Sequence, residues 1–133
     1  MVSKFVLDTN ILIRFLTNNP KKQAAAVESL FKKAGLRSLL IPDVVLVEAV
    51  FVLLSFYNLP KEEIIENIAS LITFNKFNLH RSLFKKTLEL YSKYPISFVD
   101  AYVGAVSRTE PRRIIYTYDK RVLGIKEVQA IAP

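Results

Sequence analysis

The sequence predicts an α/β sandwich with a mainly parallel sheet, and three observations predict it. Short β-branched and aromatic runs alternate with helical segments along the chain. Aspartates stand repeatedly where a strand gives way to a helix. No repeat, linker or low-complexity tract divides the 133 residues, a length suited to one continuous core, so a single domain over 1–133 is expected.

The elements follow in order. "KFVLD" is a β-branched and aromatic run that ends in an acid and reads as a first strand. "TNILIRFLTNN" continues at helical spacing, with Ile11, Leu12, Phe15 and Leu16 on one face. Pro20 suits the start of a second helix, which is expected to end on Gly35. "SLLIP" is a brief strand, and Asp43 is placed to cap a third helix from about residue 44 to 57. Pro60 opens a fourth helix with Glu62 and Glu63 in its first turn, where the helix dipole favours acids. "KFNLH" is a third strand, and "RSLFKKTLELYSKY" is a fifth helix stopped by Pro95. "SFVDAYVGAVSR" is a sixth helix in which Gly104 permits close packing. "RIIYTYD" is a strand, "KRVLG" a helical turn and "EVQAI" a last strand.

Composition excludes several chemistries. There is no cysteine, which removes disulfides, thiol catalysis and cysteine-ligated zinc together. No signal peptide is expected from the opening residues, and the apolar run from residue 44 to 54 falls short of the roughly 18 residues of a membrane span. A cytoplasmic protein without a membrane partner is expected. The net charge of +7 attracts polyanions, nucleic acid first among them.

The acids carry the chemistry. The aspartates are Asp8, Asp43, Asp100 and Asp119, all at or near expected helix starts, and capping alone accounts for each of them. Parallel strands end on one edge of a sheet, where ligands of open α/β folds bind, so Asp8 and Asp119 are expected to face one crevice, with Asp100 aimed inward from its helix. Glu48 is different: in "VVLVEAVFVLL" it interrupts an apolar helix too far along to cap it. A buried carboxylate there requires a partner, either a Lys or Arg or a cation.

Four stretches, "FVLDTNIL", "PDVVLVEAV", "SFVDAYVGAVS" and "IIYTYDKRV", resemble in order and spacing the four acidic motifs of the PIN-domain ribonucleases, in particular the short VapC-type toxins of toxin–antitoxin pairs. The resemblance covers essentially the whole chain. It implies a three-layer α/β/α sandwich around a short, mainly parallel sheet, and a metal-dependent endoribonuclease whose catalytic and metal-binding acids are Asp8, Glu48, Asp100 and Asp119. Thr9, Asn10 and Thr117 match polar positions that support those acids. The helix after Asp100 is bulkier than the alanine-rich one usual in the family. The implied cofactor is Mg²⁺ or Mn²⁺, hard cations that prefer carboxylate oxygen and generate a nucleophile from water without any side-chain nucleophile. On this reading Glu48's partner is a metal ion rather than a side chain. The implied partners are an RNA substrate, a small VapB-like antitoxin protein and a second copy of the chain.

Lys21, Lys22, Lys120 and Arg121 are candidate RNA-binding residues near the catalytic edge. Arg112 and Arg113 start the strand that leads to Asp119 and are expected roughly 15–20 Å away, outside the site. His80 is expected to be structural or solvent-exposed. The third helix is apolar nearly all round, so a homodimer using it and the fourth helix, with Ile64, Ile65, Ile68 and Ile72, is expected. Two other classes stand beside the nuclease. A catalytically silent PIN-like RNA-binding module would have lost an acid, and none is lost. A phosphoryl-accepting receiver presents paired acids after its first strand, whereas Asp8 is followed by Thr9.

Overall fold

The computed structural model describes residues 3–133. The elements are β1 (Phe5–Val6), α1 (Thr9–Thr17), α2 (Lys21–Lys33), β2 (Leu39–Leu40), α3 (Asp43–Ser55), α4 (Lys61–Thr73), β3 (Phe77–Asn78), α5 (Arg81–Lys93), α6 (Phe98–Arg108), β4 (Ile114–Tyr116), α7 (Lys120–Leu123) and β5 (Gln129–Ile131). Every expected strand and helix is present, the strands shortened to two or three residues. The chain forms two compact units, one ending at His80 and the other spanning Arg81–Pro133.

In the first unit the strands lie in the order β1–β2–β3, all parallel, with Phe5 opposite Leu39 and Leu39 opposite Phe77. The ladder continues past the strands, since the Leu7 N–H donates to Leu40 O at 2.9 Å and the Ile41 N–H to Asn78 O at 2.9 Å. Each parallel step needs a helical crossover, and α1–α2 and α3–α4 supply them. Phe15, Phe31, Phe74 and Phe77 form one aromatic cluster, with centroids 4.9 Å apart for Phe15–Phe31 and 4.8 Å for Phe74–Phe77. It fastens α1 and α2 to β3. Full burial of one such ring stabilises by roughly 1.5–3 kcal/mol, and both Phe31 and Phe77 are buried.

Helix starts and stops follow local chemistry. Pro20, Pro42 and Pro60 occupy the N-cap positions of α2, α3 and α4 in extended backbone. Asp43 is therefore the first residue of α3 and not its cap. It pairs instead with His80, Nδ1 to Oδ2 at 3.6 Å, on a histidine that is largely exposed. Helix α1 ends on Asn18 in the left-handed region, φ 53°, which asparagine tolerates. Helix α2 ends on Ala34 in extended backbone, and the expected glycine stop at Gly35 is not used.

Helix α3 turns Leu46, Ala49, Val50 and Leu53 inward. The helical period leaves Val44, Glu48 and Phe51 on the opposite face, and Val44 and Phe51 are 73% and 68% exposed. One face of α3 is thus apolar and uncovered, as its composition suggested. Helix α4 is not: Ile64, Ile68 and Ile72 are buried within this unit, so α4 covers α3 instead of offering its isoleucines to a second copy.

In the second unit α5 packs on α6, where Gly104 meets Leu90 so closely that a Cβ would stand 2.9 Å from Leu90 Cδ1. Strands β4 and β5 pair in parallel, Ile114 opposite Gln129 and Tyr116 opposite Ile131. The Tyr94 hydroxyl donates to Glu127 Oε1, and Lys93 Nζ lies 3.3 Å from Oε2. The tyrosine bond first, and Lys93 with it, hold the Glu127 carboxyl below its ordinary range against some desolvation, while Glu127 raises Lys93. Among the described residues no helix is long and apolar enough to cross a membrane.

Candidate active site

Asp8 stands just past the carboxyl end of β1, between two buried leucines, Leu7 and Leu12, that fix the strand-to-helix turn. Its backbone is extended and its Oδ1 accepts the Asn10 N–H at 3.4 Å, so Asp8 caps α1. The next residue, Thr9, is buried, and its hydroxyl donates to Glu48 Oε1 on α3. That bond spans 39 residues of sequence and ties the start of α1 to the middle of α3. Asp8 and Glu48 are thereby brought into one neighbourhood of the first unit.

Glu48 departs from expectation in two ways. It is exposed, because the inward face of α3 is the opposite one. Its partner is a neutral hydroxyl. A hydroxyl orients a carboxylate without cancelling its charge, so the anion remains uncompensated by protein. The other acids share this condition: the described ion pairs join Glu28 to Lys32, Asp43 to His80 and Glu127 to Lys93, and none involves Asp8, Glu48, Asp100 or Asp119. A buried ion pair as the reason for Glu48 is excluded.

In the second unit Asp119 caps α7, with Oδ1 accepting the Arg121 N–H at 2.8 Å. Thr117 braces it from the strand side, its Oγ1 accepting the Asp119 N–H at 3.0 Å. Asp100 is not a cap. Ser97 performs that function for α6, its Oγ accepting the Asp100 N–H at 3.0 Å, and Asp100 sits half-buried in the first turn. The spacing Ser-x-x-acid in "SFVD" is a helix-start signature that points to Ser97 from sequence alone.

Capping therefore explains part of the aspartate pattern and no more: Asp8 and Asp119 cap, Asp43 and Asp100 do not. Asp8, Glu48 and Asp119 each commit one oxygen to a protein donor, and each keeps a second for another donor or a cation. The donor set is carboxylate and hydroxyl oxygen without sulfur, which suits Mg²⁺ or Mn²⁺. Among the described residues no three acidic or histidine side chains are gathered closely enough to hold a metal ion. Of the basic candidates, Lys21 and Lys22 are exposed at the start of α2, and Lys120 and Arg121 are exposed in α7 directly after Asp119. Arg112 and Arg113 are exposed ahead of β4.

The model of the PIN domain family matches residues 5–129, and the chain belongs to that family. Its short parallel strands joined by helices are those of the PIN-like α/β fold expected from the sequence. The chain is also similar to a VapC ribonuclease of Aquifex aeolicus (strain VF5), 26% identical over 128 residues that cover 92% of this chain and 94% of the relative.

The division between caps and uncommitted acids is testable by stability alone. Ser97→Ala removes a cap and is expected to cost about 0.5–2 kcal/mol in urea unfolding. Asp100→Asn keeps the cap and forgoes only a favourable charge in the first turn, a loss of about 0.3–1 kcal/mol. A larger loss for Asp100→Asn than for Ser97→Ala would show that Asp100 holds the helix start.

Proposed function

We propose that this chain is a metal-dependent endoribonuclease that hydrolyses RNA phosphodiester bonds, the toxin of a VapBC-type toxin–antitoxin pair. It works in the cytoplasm, and a small VapB-like antitoxin protein holds it inactive. Asp8, Glu48, Asp100 and Asp119 are its catalytic acids and the ligands of Mg²⁺ or Mn²⁺. The observation that carries the reading is the Thr9–Glu48 hydrogen bond, which brings Glu48 to the residue next to Asp8, while neither acid is among the described ion pairs. Family membership and the similarity to a VapC ribonuclease support it.

When bound, the cation supplies a hydroxide at neutral pH and stabilises charge on the phosphoryl and leaving oxygens. The chain's own residues do the rest. Thr9 fixes the rotamer of Glu48, so that one carboxylate oxygen is held and the other presented. Asp8 and Asp119 are held rigidly by the helices they cap, and Thr117 secures the backbone of Asp119. Ser97 relieves Asp100 of capping and leaves its carboxylate for ligation. Lys21, Lys22, Lys120 and Arg121 draw the RNA backbone in by charge, an attraction that weakens with salt.

The homodimer belongs to the same proposal and rests on α3 alone. Val44 and Phe51 leave apolar surface uncovered on either side of Glu48, and a second copy seated there removes it from water. Sedimentation at micromolar concentration is expected to show a dimer that becomes a 15.2 kDa monomer in Phe51→Glu. A wild-type monomer would remove the dimer from the account.

The activity is tested by incubating single-stranded RNA with the purified chain in Mg²⁺, in Mn²⁺ and in EDTA. Cleavage is expected with either metal and not in EDTA. It is expected to be lost in Asp100→Asn while folding is retained, and kept in Asp43→Asn, whose carboxylate serves His80. RNA bound but left uncut in both metals would reject the nuclease and favour the silent RNA-binding module. Equal cleavage by the two variants would reject the choice of acids.

A further inference from the structure

Beside Thr9, between α1 and the end of α3, lies a cavity of about 330 Å³, a size at the lower end of small-ligand pockets. Ile13 and Val52 line it with aliphatic surface, and Phe56 and Tyr57 line it with aromatic rings. Those rings stand 5.1 Å apart at 68°, and Phe56 is 75% exposed although it is the largest apolar side chain of the pocket. The polar lining is Thr9, Asn10 and Arg14, with no acid among the lining residues. Gln23 holds the Arg14 fork by accepting from Nε at 2.5 Å, and Asn10 O accepts from Nη1 at 3.4 Å. A guanidinium has five donors, so these two bonds leave most of its capacity uncommitted.

We infer that this cavity is a subsite for one unpaired RNA nucleotide, whose base stacks on Phe56 and whose phosphate meets Arg14. The inference rests on the RNA-directed reading above and adds to it the place and the form of the substrate. An exposed ring, a cation held in a fixed orientation and an amide at the rim are the groups that recognise a splayed base, and they do not fit a paired one, whose faces are already stacked. Position agrees with this chemistry. Thr9 lines the cavity and also holds Glu48, so a nucleotide seated here lies next to Asp8 and Glu48. A neighbouring cavity of about 430 Å³ shares Tyr57 but is lined by Glu63 and no cation, which makes it the poorer place for a phosphate.

The test uses binding in EDTA, so it does not depend on cleavage. A labelled single strand of about ten nucleotides and a duplex of the same length are titrated with the chain and followed by fluorescence anisotropy. Phe56→Ala is expected to weaken the single strand about 5- to 100-fold, the loss of one base stack, and to leave the duplex unchanged. Phe56→Tyr is expected to restore affinity, and Arg14→Gln to reduce the salt slope by about one. Unchanged single-strand affinity in Phe56→Ala, or an equal loss for single strand and duplex, would overturn the subsite. A change of oligomeric state in Phe56→Ala without a change in RNA affinity would overturn it as well, by assigning the ring to a contact between copies. A chain that cuts RNA but ignores Phe56 loses only the subsite; one that binds through Phe56 and cuts nothing loses only the nuclease.

Discussion

A hydroxyl on one helix holds a carboxylate on another, and the candidate chemistry depends on that bond. Thr9 can hold Glu48 only because its own position is overdetermined. The β1 ladder ends beside it, Leu7 and Leu12 are buried on either side, and Asp8 closes the first turn of α1. The aromatic cluster of Phe15, Phe31, Phe74 and Phe77 then keeps α1 from shifting. Packing far from the acids thus helps to fix the helix that carries Thr9. Under the proposed function this is the usual support of a metal ligand: the group that touches the ligand is fixed by the core, and the ligand is fixed by that group.

Charge explains why the acids that could be neutralised are different ones. Nineteen lysines and arginines face twelve acids, yet the described ion pairs form at Glu28, Asp43 and Glu127. The proposed ligands are left out of them. An RNA phosphate drawn in by the net charge of +7 meets carboxylates that repel it, so under the proposed function approach to the acids requires a cation. Attraction by the whole surface and admission to the site are then separate controls.

Much of the fold was legible in the sequence because its signals are local. Prolines at the helix starts, short β-branched and aromatic runs, apolar runs at helical spacing, and acids after strands located all twelve elements. The misreadings share one physical origin, which is that a local signal can be satisfied by a neighbour instead. Ser97 takes the cap that Asp100 was eligible for, Pro42 leaves Asp43 inside the helix to meet His80, and α2 stops on Ala34 in extended backbone without using Gly35. Glu48 was readable as anomalous but not as exposed, because a helix that is apolar on every side does not reveal which face points inward. The motif acids could be named from the sequence. The partner of Glu48 could not, since Thr9 lies 39 residues away and only folding brings the two together. The same holds for the cavity at Phe56, an exposed aromatic with no sequence pattern to separate it from the core.

The central claim, that Thr9 acts on the metal through Glu48, is tested most directly by calorimetric titration of Mn²⁺ into the wild-type chain, Thr9→Ser and Thr9→Val. Valine has the shape of threonine without the hydroxyl, so the fold is kept and the bond to Glu48 is lost. The account predicts that serine binds Mn²⁺ nearly as wild type does, and that valine binds it about 10- to 100-fold more weakly. Equal Mn²⁺ affinity in all three, with Thr9→Val folded, would contradict it.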